Sequence, residues 1–182
     1  MGAHPDKWQK LWSGKGIKSE GESAKCVDAA KVLGCFLESD GGYEREVGNR
    51  ISKASVIFSR LVKRIEATKL GNGTKGRLFR ASVMASLLYG TEARGVPRRA
   101  VRRMQTFVGK CERRLFLGPG SSCGDMMGKC TQTEIRMALG NVTVQTEIDN
   151  RLARHVGHVI RLPETRWERI VLQGIAPSPD SE

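Results

Sequence analysis

Clustered arginine and lysine side chains are the residues of this chain best suited to chemistry, and that chemistry is the binding of phosphate. Residues 43–116 carry 18 Lys and Arg against 5 Asp and Glu, whereas the other 108 residues carry 13 against 14. The planar guanidinium group can donate two parallel hydrogen bonds to a phosphate, and arginine outnumbers lysine in this segment. The basic excess of the chain, which has a formal net charge of +12, therefore lies in one segment.

Two sets of basic residues are the candidate phosphate contacts. The alternative explanation is that these basic residues only form a solvated helix face. Ordinary solvated faces carry acidic residues among the basic ones, whereas the basic surfaces here carry hardly any. Binding of this kind is directed at the nucleic-acid backbone and weakens with salt. A basic surface also suits an anionic membrane, but no apolar run approaches the ~18 residues of a spanning helix, so a membrane partner would have to bind at its surface. Of the two polyanions we expect nucleic acid as the partner and no membrane. The leading set is Arg50, Lys53, Arg60, Lys63 and Arg64, and the second set is Arg99, Arg102 and Arg103.

Cysteine and histidine offer a weaker alternative. Cys123 and Cys130, with His155 and His158, could be arranged as a Cys2His2 zinc site. Six residues separate the two cysteines, however, whereas structural zinc knuckles have shorter spacings. We therefore predict no metal site. An odd number of cysteines and a polar start without a signal peptide favour reduced thiols and an intracellular location, nuclear or cytoplasmic.

The leading basic set requires a long amphipathic helix to position it. Apolar residues recur with alternating spacings of four and three, which predicts one helix over residues 43–70, ended by the GNG at residues 71–73. Lys53, Arg60, Lys63 and Arg64 then fall opposite the apolar stripe. The stripe consists of Val47, Ile51, Ala54, Phe58, Leu61 and Ile65.

Two more helices complete the basic segment. We expect a second helix with Thr74 as its cap, ending at Gly95, and a third helix with Pro97 at its first position. The third helix also places its arginines away from its apolar residues, among which Cys111 is a small core residue. The predicted stripes are Leu78, Ala81, Ala85 and Leu88 in the second helix and Val101, Met104, Val108, Cys111 and Leu115 in the third.

Shorter elements flank the basic segment. Residues 31–37 (KVLGCFL) predict a strand, followed by a tight turn in SDGG. Downstream, Thr131 and Glu134 have capping-box spacing before a short helix that Gly140 closes. A fifth helix carries an inward stripe and stops at Pro163, and a last short helix runs to residue 173. The fifth stripe is Ile148, Leu152, Val156 and Val159.

The predicted fold is mainly α, with a three-helix bundle, a small second helical unit and a short β-hairpin or strand near residues 31–42. Residues 1–30 form a polar, flexible segment in which Trp8 and Trp12 are more suited to packing than to stacking on bases. The bundle covers residues 43–117. The second helical unit covers residues 128–173, and residues 174–182 form a disordered tail.

Three stretches of the chain resemble the region that follows the catalytic core in reverse transcriptases of non-LTR retrotransposons (long interspersed elements). The first is residues 31–34 (KVLG) with Asp40-Gly41, Arg50-Ile51 and Ala54, and it resembles the primer-grip hairpin and the entry to the thumb. The second is Arg77-Leu78 and Ala81 with residues 87–92 (LLYGTE), which resemble a thumb helix. The third is Arg151-Leu152 with residues 156–162 (VGHVIRL) and Arg166, which resemble a "GH-V-x-R" element downstream of the thumb.

The resemblance implies a thumb that holds a template–primer duplex by its backbone, and a hairpin in which Leu33 and Gly34 position the primer end. The family usually has an aromatic residue where Val32 stands, and tryptophan commonly follows LLYG-x-E where Ala93 stands here. Polymerisation needs carboxylates that hold two metal ions, and no Asp-Asp pair occurs in this sequence. We therefore expect no catalytic residue and no cofactor in this chain, because Mg²⁺ would belong to the missing palm.

Three functions remain open at this point. The chain could be a C-terminal piece of such a reverse transcriptase that requires the missing palm and fingers as a partner. It could be an independent basic helical module that binds RNA or DNA. It could also be a scaffold for an acidic protein. The partner expected from the charge and from the resemblance is nucleic acid, as an RNA–DNA or RNA template–primer duplex.

Overall fold

The fold is mainly helical, as predicted, with small antiparallel β-structure before the helices. The computed structural model describes residues 18–19, 22–23, 28–32, 34–39, 41–68, 70–92, 95–118, 130–163, 165–166 and 168–169. Its residues divide into two compact units, Tyr43–His155 and a second unit of Met1–Gly42 with Val156–Glu182. The predictions for Trp8, Trp12, Leu33, Cys123, the tail and most of the last short helix lie outside the described residues.

A hairpin forms near residues 31–42, as predicted. Strands β1 (Lys18–Ser19) and β2 (Glu22–Ser23) make a short antiparallel pair, and β3 (Ala29–Val32) and β4 (Cys35–Glu38) make a longer one. The last residue of β3 pairs with the first residue of β4, so the chain reverses direction between them. Gly34 has a φ of 85°, which a two-residue hairpin turn requires. The prediction of one strand over residues 31–37 is therefore wrong, because the glycine that looked internal is the turn.

Helix α1 (Glu44–Glu66) is the long amphipathic helix that the spacing predicts. Val47, Ala54 and Ile65 are buried, and Ile51, Phe58 and Leu61 pack against them with partial burial. The predicted stripe is confirmed, because these six apolar residues, spaced three and four apart, lie on one side of the helix.

A π-helical turn interrupts the next helix. Helix α2 (Asn72–Phe79) continues into the π-helical turn Arg80–Met84 and then into the short helix α3 (Ala85–Leu87). The N-cap is Gly71 rather than the predicted Thr74. The helix ends before a turn in which Gly90 has a φ of 78°, so the predicted end at Gly95 is wrong.

The buried side of this segment is not the predicted one. Leu78, Ala81 and Ala85 are exposed, and only Leu88 of the predicted stripe is buried. A π-helical turn contains one residue more than an α-helical turn, so two pairs of neighbouring residues can face the same side. The bulkier side chains take the core positions. They are Phe79, Val83, Met84, Leu87 and Leu88.

The remaining three helices begin and end close to where the sequence indicates. Helix α4 (Arg98–Leu117) has Pro97 as its N-cap, and its predicted stripe is buried apart from the partly buried Val101. Helix α5 (Gln132–Leu139) has the predicted capping box, with Gly140 in the left-handed conformation at its end. Helix α6 (Val144–Ile160) buries Ile148 and Val159, but Leu152 is 46% exposed, so its predicted inward position is wrong.

One hydrophobic core joins the predicted bundle to α5 and the start of α6. The buried cluster includes Phe79 and Met104 from the bundle together with Ile135, Leu139 and Val144 from beyond it. The core therefore does not divide between residues 43–117 and 128–173. It could not divide there because α5 is too short to bury an apolar face without α2 and α4.

The contact of α2 with α5 depends on a glycine. A Cβ placed on Gly76 would lie 1.8 Å from the carbonyl oxygen of Leu139. That oxygen belongs to the backbone at the end of α5, so it cannot move aside as a flexible side chain would. Gly76 has no positive φ that would require glycine, and the close approach is the reason for its identity.

A carboxylate lies inside the helical unit. Glu112 of α4 is 0% exposed and accepts hydrogen bonds from Gln132 Nε2 (2.8 Å) and Asn141 Nδ2 (3.1 Å). Arg136 of α5 lies 3.6 Å from the same carboxylate. Burial raises the pKa of Glu112, although the two amides and Arg136 act in the opposite direction.

The neighbouring Cys111 is an inert core group. Burial, with a smaller effect of Glu112, raises the pKa of its thiol to about 12.

Replacing Gly76 by alanine should destabilise the helical unit. The new methyl group overlaps the Leu139 backbone, and we expect the free energy of unfolding to fall by about 3 kcal/mol or more. Gly73→Ala is the matched control, because its Cβ would meet nothing within 4 Å. That variant should be unchanged or up to about 1 kcal/mol more stable. Urea denaturation measures both, and equal behaviour of the two variants would contradict the close approach.

The stability of the unit should depend on pH through Glu112. A carboxyl group whose pKa is raised by folding stabilises the fold below its unfolded pKa, and this contribution is lost as the pH rises through the folded value. The free energy of unfolding of the wild type, minus that of Glu112→Gln, should therefore decrease between about pH 4 and pH 7. Urea denaturation across that range measures the difference. An increase with pH would mean that the amides and Arg136 outweigh burial.

Candidate nucleic-acid interface

The exposed basic side of α1 is the strongest candidate for a phosphate-binding surface. We call Lys53, Arg60, Lys63 and Arg64 the α1 cationic face, and all four are exposed. Lys53, Arg60 and Arg64 are separated by seven and four residues, so they project from one side of the helix. They extend over about 16 Å of its axis, close to five base-pair steps of a duplex. Among the described residues, no carboxylate forms an ion pair with any of the four.

The acidic residues of the same segment are engaged by its own arginines. Glu44 pairs with Arg99 and Arg103, and Glu66 pairs with Arg114 at 2.8 Å. Glu46 and Glu112 form ion pairs as well. Four of the five acids in residues 43–116 are therefore neutralised elsewhere, and the charge of the α1 cationic face has no counter-charge among them.

Arg50 belongs to the core of the unit and not to its surface. It is 4% exposed, and its Nε donates to Glu46 one turn earlier in the same helix. Its guanidinium carbon lies 4.7 Å from the centre of the Tyr89 ring. A side chain so placed cannot reach a phosphate, so Arg50 is removed from the leading set. The spacing of four between Glu46 and Arg50 was the available signal for this pair.

The second predicted set is divided by its contacts. Arg99 and Arg103 both bind Glu44, which ties the start of α4 to the start of α1. Arg102 is exposed, and no described carboxylate pairs with it. Arg99 and Arg103 thus act first as links between helices, although Arg99 remains 83% exposed.

One residue from each of the three stretches that carry the family resemblance takes part in a set of contacts within the unit Tyr43–His155. Tyr89 of the second stretch covers Arg50 of the first, and Arg151 of the third donates to the carbonyl oxygen of Leu88 at 3.2 Å. Thr91 Oγ1 donates to the same carbonyl at 2.9 Å. These contacts satisfy a helix end that would otherwise expose its carbonyl groups. Arg50, Tyr89 and Arg151 thus hold helices together at this point, although Tyr89 remains half exposed.

The hairpin residues carried over from the resemblance lie in the other unit. Gly34 occupies the turn between β3 and β4, and Leu33 lies outside the described residues. Gly34 therefore belongs to one compact unit and the α1 cationic face to the other.

The zinc alternative gains no support from the described part of the chain. No group of three or more His, Cys, Asp or Glu side chains there is arranged to hold a metal ion. Cys130 is partly buried, and His155 and His158 are exposed on α6.

Within the described part of the chain, every helix is too short or too polar to cross a lipid bilayer.

Removing the charge of Arg50 should reduce stability without reducing nucleic-acid affinity. Arg50→Met removes the ion pair of the buried Glu46 with Arg50, and we expect a loss of about 3 kcal/mol. The double variant Glu46→Leu/Arg50→Met should recover most of that loss. Affinity for an RNA–DNA duplex should stay within about twofold when the variant is folded, since a buried side chain neutralises no phosphate. Weaker binding at unchanged stability would restore Arg50 to the interface.

Comparison of the whole chain with protein-family models, with curated proteins and with solved structures finds no match in any of the three. The candidate interface consequently stands on the positions and charges of this chain's own side chains.

Proposed function

We propose that the unit Tyr43–His155 binds the sugar–phosphate backbone of a template–primer duplex through the α1 cationic face. It would act as the thumb of a reverse transcriptase of the non-LTR retrotransposon type, whose palm and fingers lie outside this chain. The observation that supports this most is the internal pairing of the acids, because within the described part of the chain it leaves no carboxylate paired with Lys53, Arg60, Lys63 or Arg64. The ordered set of resembling stretches supports the same function.

The proposed role is to hold the nucleic acid and not to catalyse a reaction. Cations on one rigid helix bind a polyanion by displacing condensed counterions, and this requires no base-specific contact. Helix α1 is suited to this because its apolar side is fixed by the core, so its cations need little ordering on binding. Metal-dependent polymerisation would be supplied by the palm. A ligand of this kind implies an intracellular location, nuclear or cytoplasmic.

Neutralising the α1 cationic face should weaken duplex binding and its salt dependence together. The variant is Arg60→Gln/Lys63→Gln/Arg64→Gln, and the measurement is fluorescence anisotropy of a labelled RNA–DNA duplex from about 50 to 300 mM KCl. The slope of log K against log salt should become shallower by about two to three, because each phosphate contact contributes about 0.9. All three side chains are exposed, so the fold should be retained.

A matched control removes the same charge from other surfaces. Arg77, Arg113 and Arg154 are exposed and lie on helices other than α1. Their described contacts are with Thr74, with Gln132, and with Asn150 and Glu147, respectively. Their triple change to Gln should leave the slope nearly intact. If both triple variants lose affinity equally, the chain responds to net charge alone and the α1 cationic face is not the site.

A further inference from the structure

An apolar groove runs beside the α1 cationic face. It lies between α1 and the π-helical turn and is lined by Ile57, Arg60, Leu61, Arg64 and Ser82. We call it the α1–π groove. Ile57 and Leu61 are partly buried against the core, so the floor is fixed in place. Arg60 and Arg64, one turn apart on α1, form a charged rim.

The floor of the groove is formed by aliphatic side chains, and its charged groups lie only at the rim. The hydroxyl of Ser82 donates to the carbonyl oxygen of Leu78 at 2.6 Å, so its proton is already used. Leu78, one turn before Ser82, is 40% exposed and adds apolar surface on that helix. Among the described residues that line the groove there is no aromatic ring on which a base could stack.

This combination fits a protein helix better than a nucleic-acid strand. Sugars and bases laid on Ile57 and Leu61 would lose hydration without gaining hydrogen bonds, which is costly. An amphipathic helix instead fills such a floor with aliphatic side chains spaced three and four residues apart. Acidic residues beside that apolar stripe would meet Arg60 and Arg64, and arginine binds carboxylates in a two-point geometry.

We infer that the α1–π groove binds an acidic amphipathic helix of a partner protein. The inference goes beyond the proposed nucleic-acid function, and the two share Arg60 and Arg64. A helix seated in the groove occupies two cations of the α1 cationic face, so the partner helix and the duplex compete. Lys63 projects about 100° away from Arg64 on the helix and serves the duplex alone.

The test uses a synthetic helical peptide as the probe. Its leucines follow the three-and-four spacing, and glutamates flank them on both sides. One control peptide has glutamine for every glutamate, and another has the same composition in scrambled order. The acidic peptide should bind the full chain about fivefold or more tightly than the glutamine peptide, since exposed ion pairs are individually weak. The scrambled peptide should not bind measurably.

Changes to the protein locate the site. Ser82→Trp should fill the groove and weaken peptide binding about tenfold or more, as the loss of an apolar anchor site does. Duplex binding should remain, because no cation is removed. Met137→Trp adds an exposed indole on α5, at a residue that is 67% exposed and does not line the groove, and it should change neither. If circular dichroism shows that Ser82→Trp is unfolded, the double variant Arg60→Gln/Arg64→Gln is compared with Lys63→Gln instead. The double variant should weaken both ligands, and Lys63→Gln the duplex only.

Each outcome separates this inference from the proposed function. Peptide binding that survives groove filling, or that is equal for the scrambled peptide, overturns the inference and leaves duplex binding untouched. Duplex binding that fails while the peptide binds overturns the proposed function and leaves the groove. A duplex that binds without being displaced by the peptide refutes competition for Arg60 and Arg64.

Discussion

The carboxylate of Glu112 connects the elements that position α1. It accepts hydrogen bonds from Gln132 at the start of α5 and from Asn141 after its end, so both ends of that short helix are tied to α4. With α5 in place, the Leu139 carbonyl lies where only glycine at position 76 leaves room for α2. Phe79 of α2 then meets Phe58 of α1 edge to face, with ring centres 6.2 Å apart. A buried acid on α4 thus contributes, through α5 and α2, to the position of the basic side of α1.

The charge of the unit serves two purposes that the fold keeps apart. Arg99, Arg103 and Arg114 are spent on the acids of α1 and join α4 to it. The cations on the other flank of α1 pair with none of the acids that the structure describes, and they are exposed to solvent. Exposed ion pairs contribute only about 1 kcal/mol or less each, so the first group aligns helices more than it stabilises them. Net charge alone would not have revealed this division.

Helices α1 and α4 and the ends of α5 could be predicted because each depends on a pattern of residues close together in the sequence. The capping box at Thr131 and the left-handed Gly140 need only neighbouring residues. The buried side of α2 depended on a π-helical turn, and no spacing rule for regular helices can produce one. Arg50 and Glu112 look like surface residues in sequence, and only the tertiary partners that surround them explain their burial. The sequence was therefore sufficient to predict which side of α1 is basic and exposed, but not which individual residues belong to that surface.

The π-helical turn accommodates one extra residue between α2 and α3. It does so over nearly the same rotation as an α-helical turn, so the residues after Met84 keep the facing that a regular helix with one residue fewer would give them. Losing one residue between Arg80 and Met84 would therefore make the helix regular and leave the Leu88 carbonyl oxygen facing Arg151. Losing one residue elsewhere in the helix would instead turn all the following residues by about 100°. In homologues of this chain, a single-residue deletion should be tolerated more readily at this point than in the α-helical parts of the same helix.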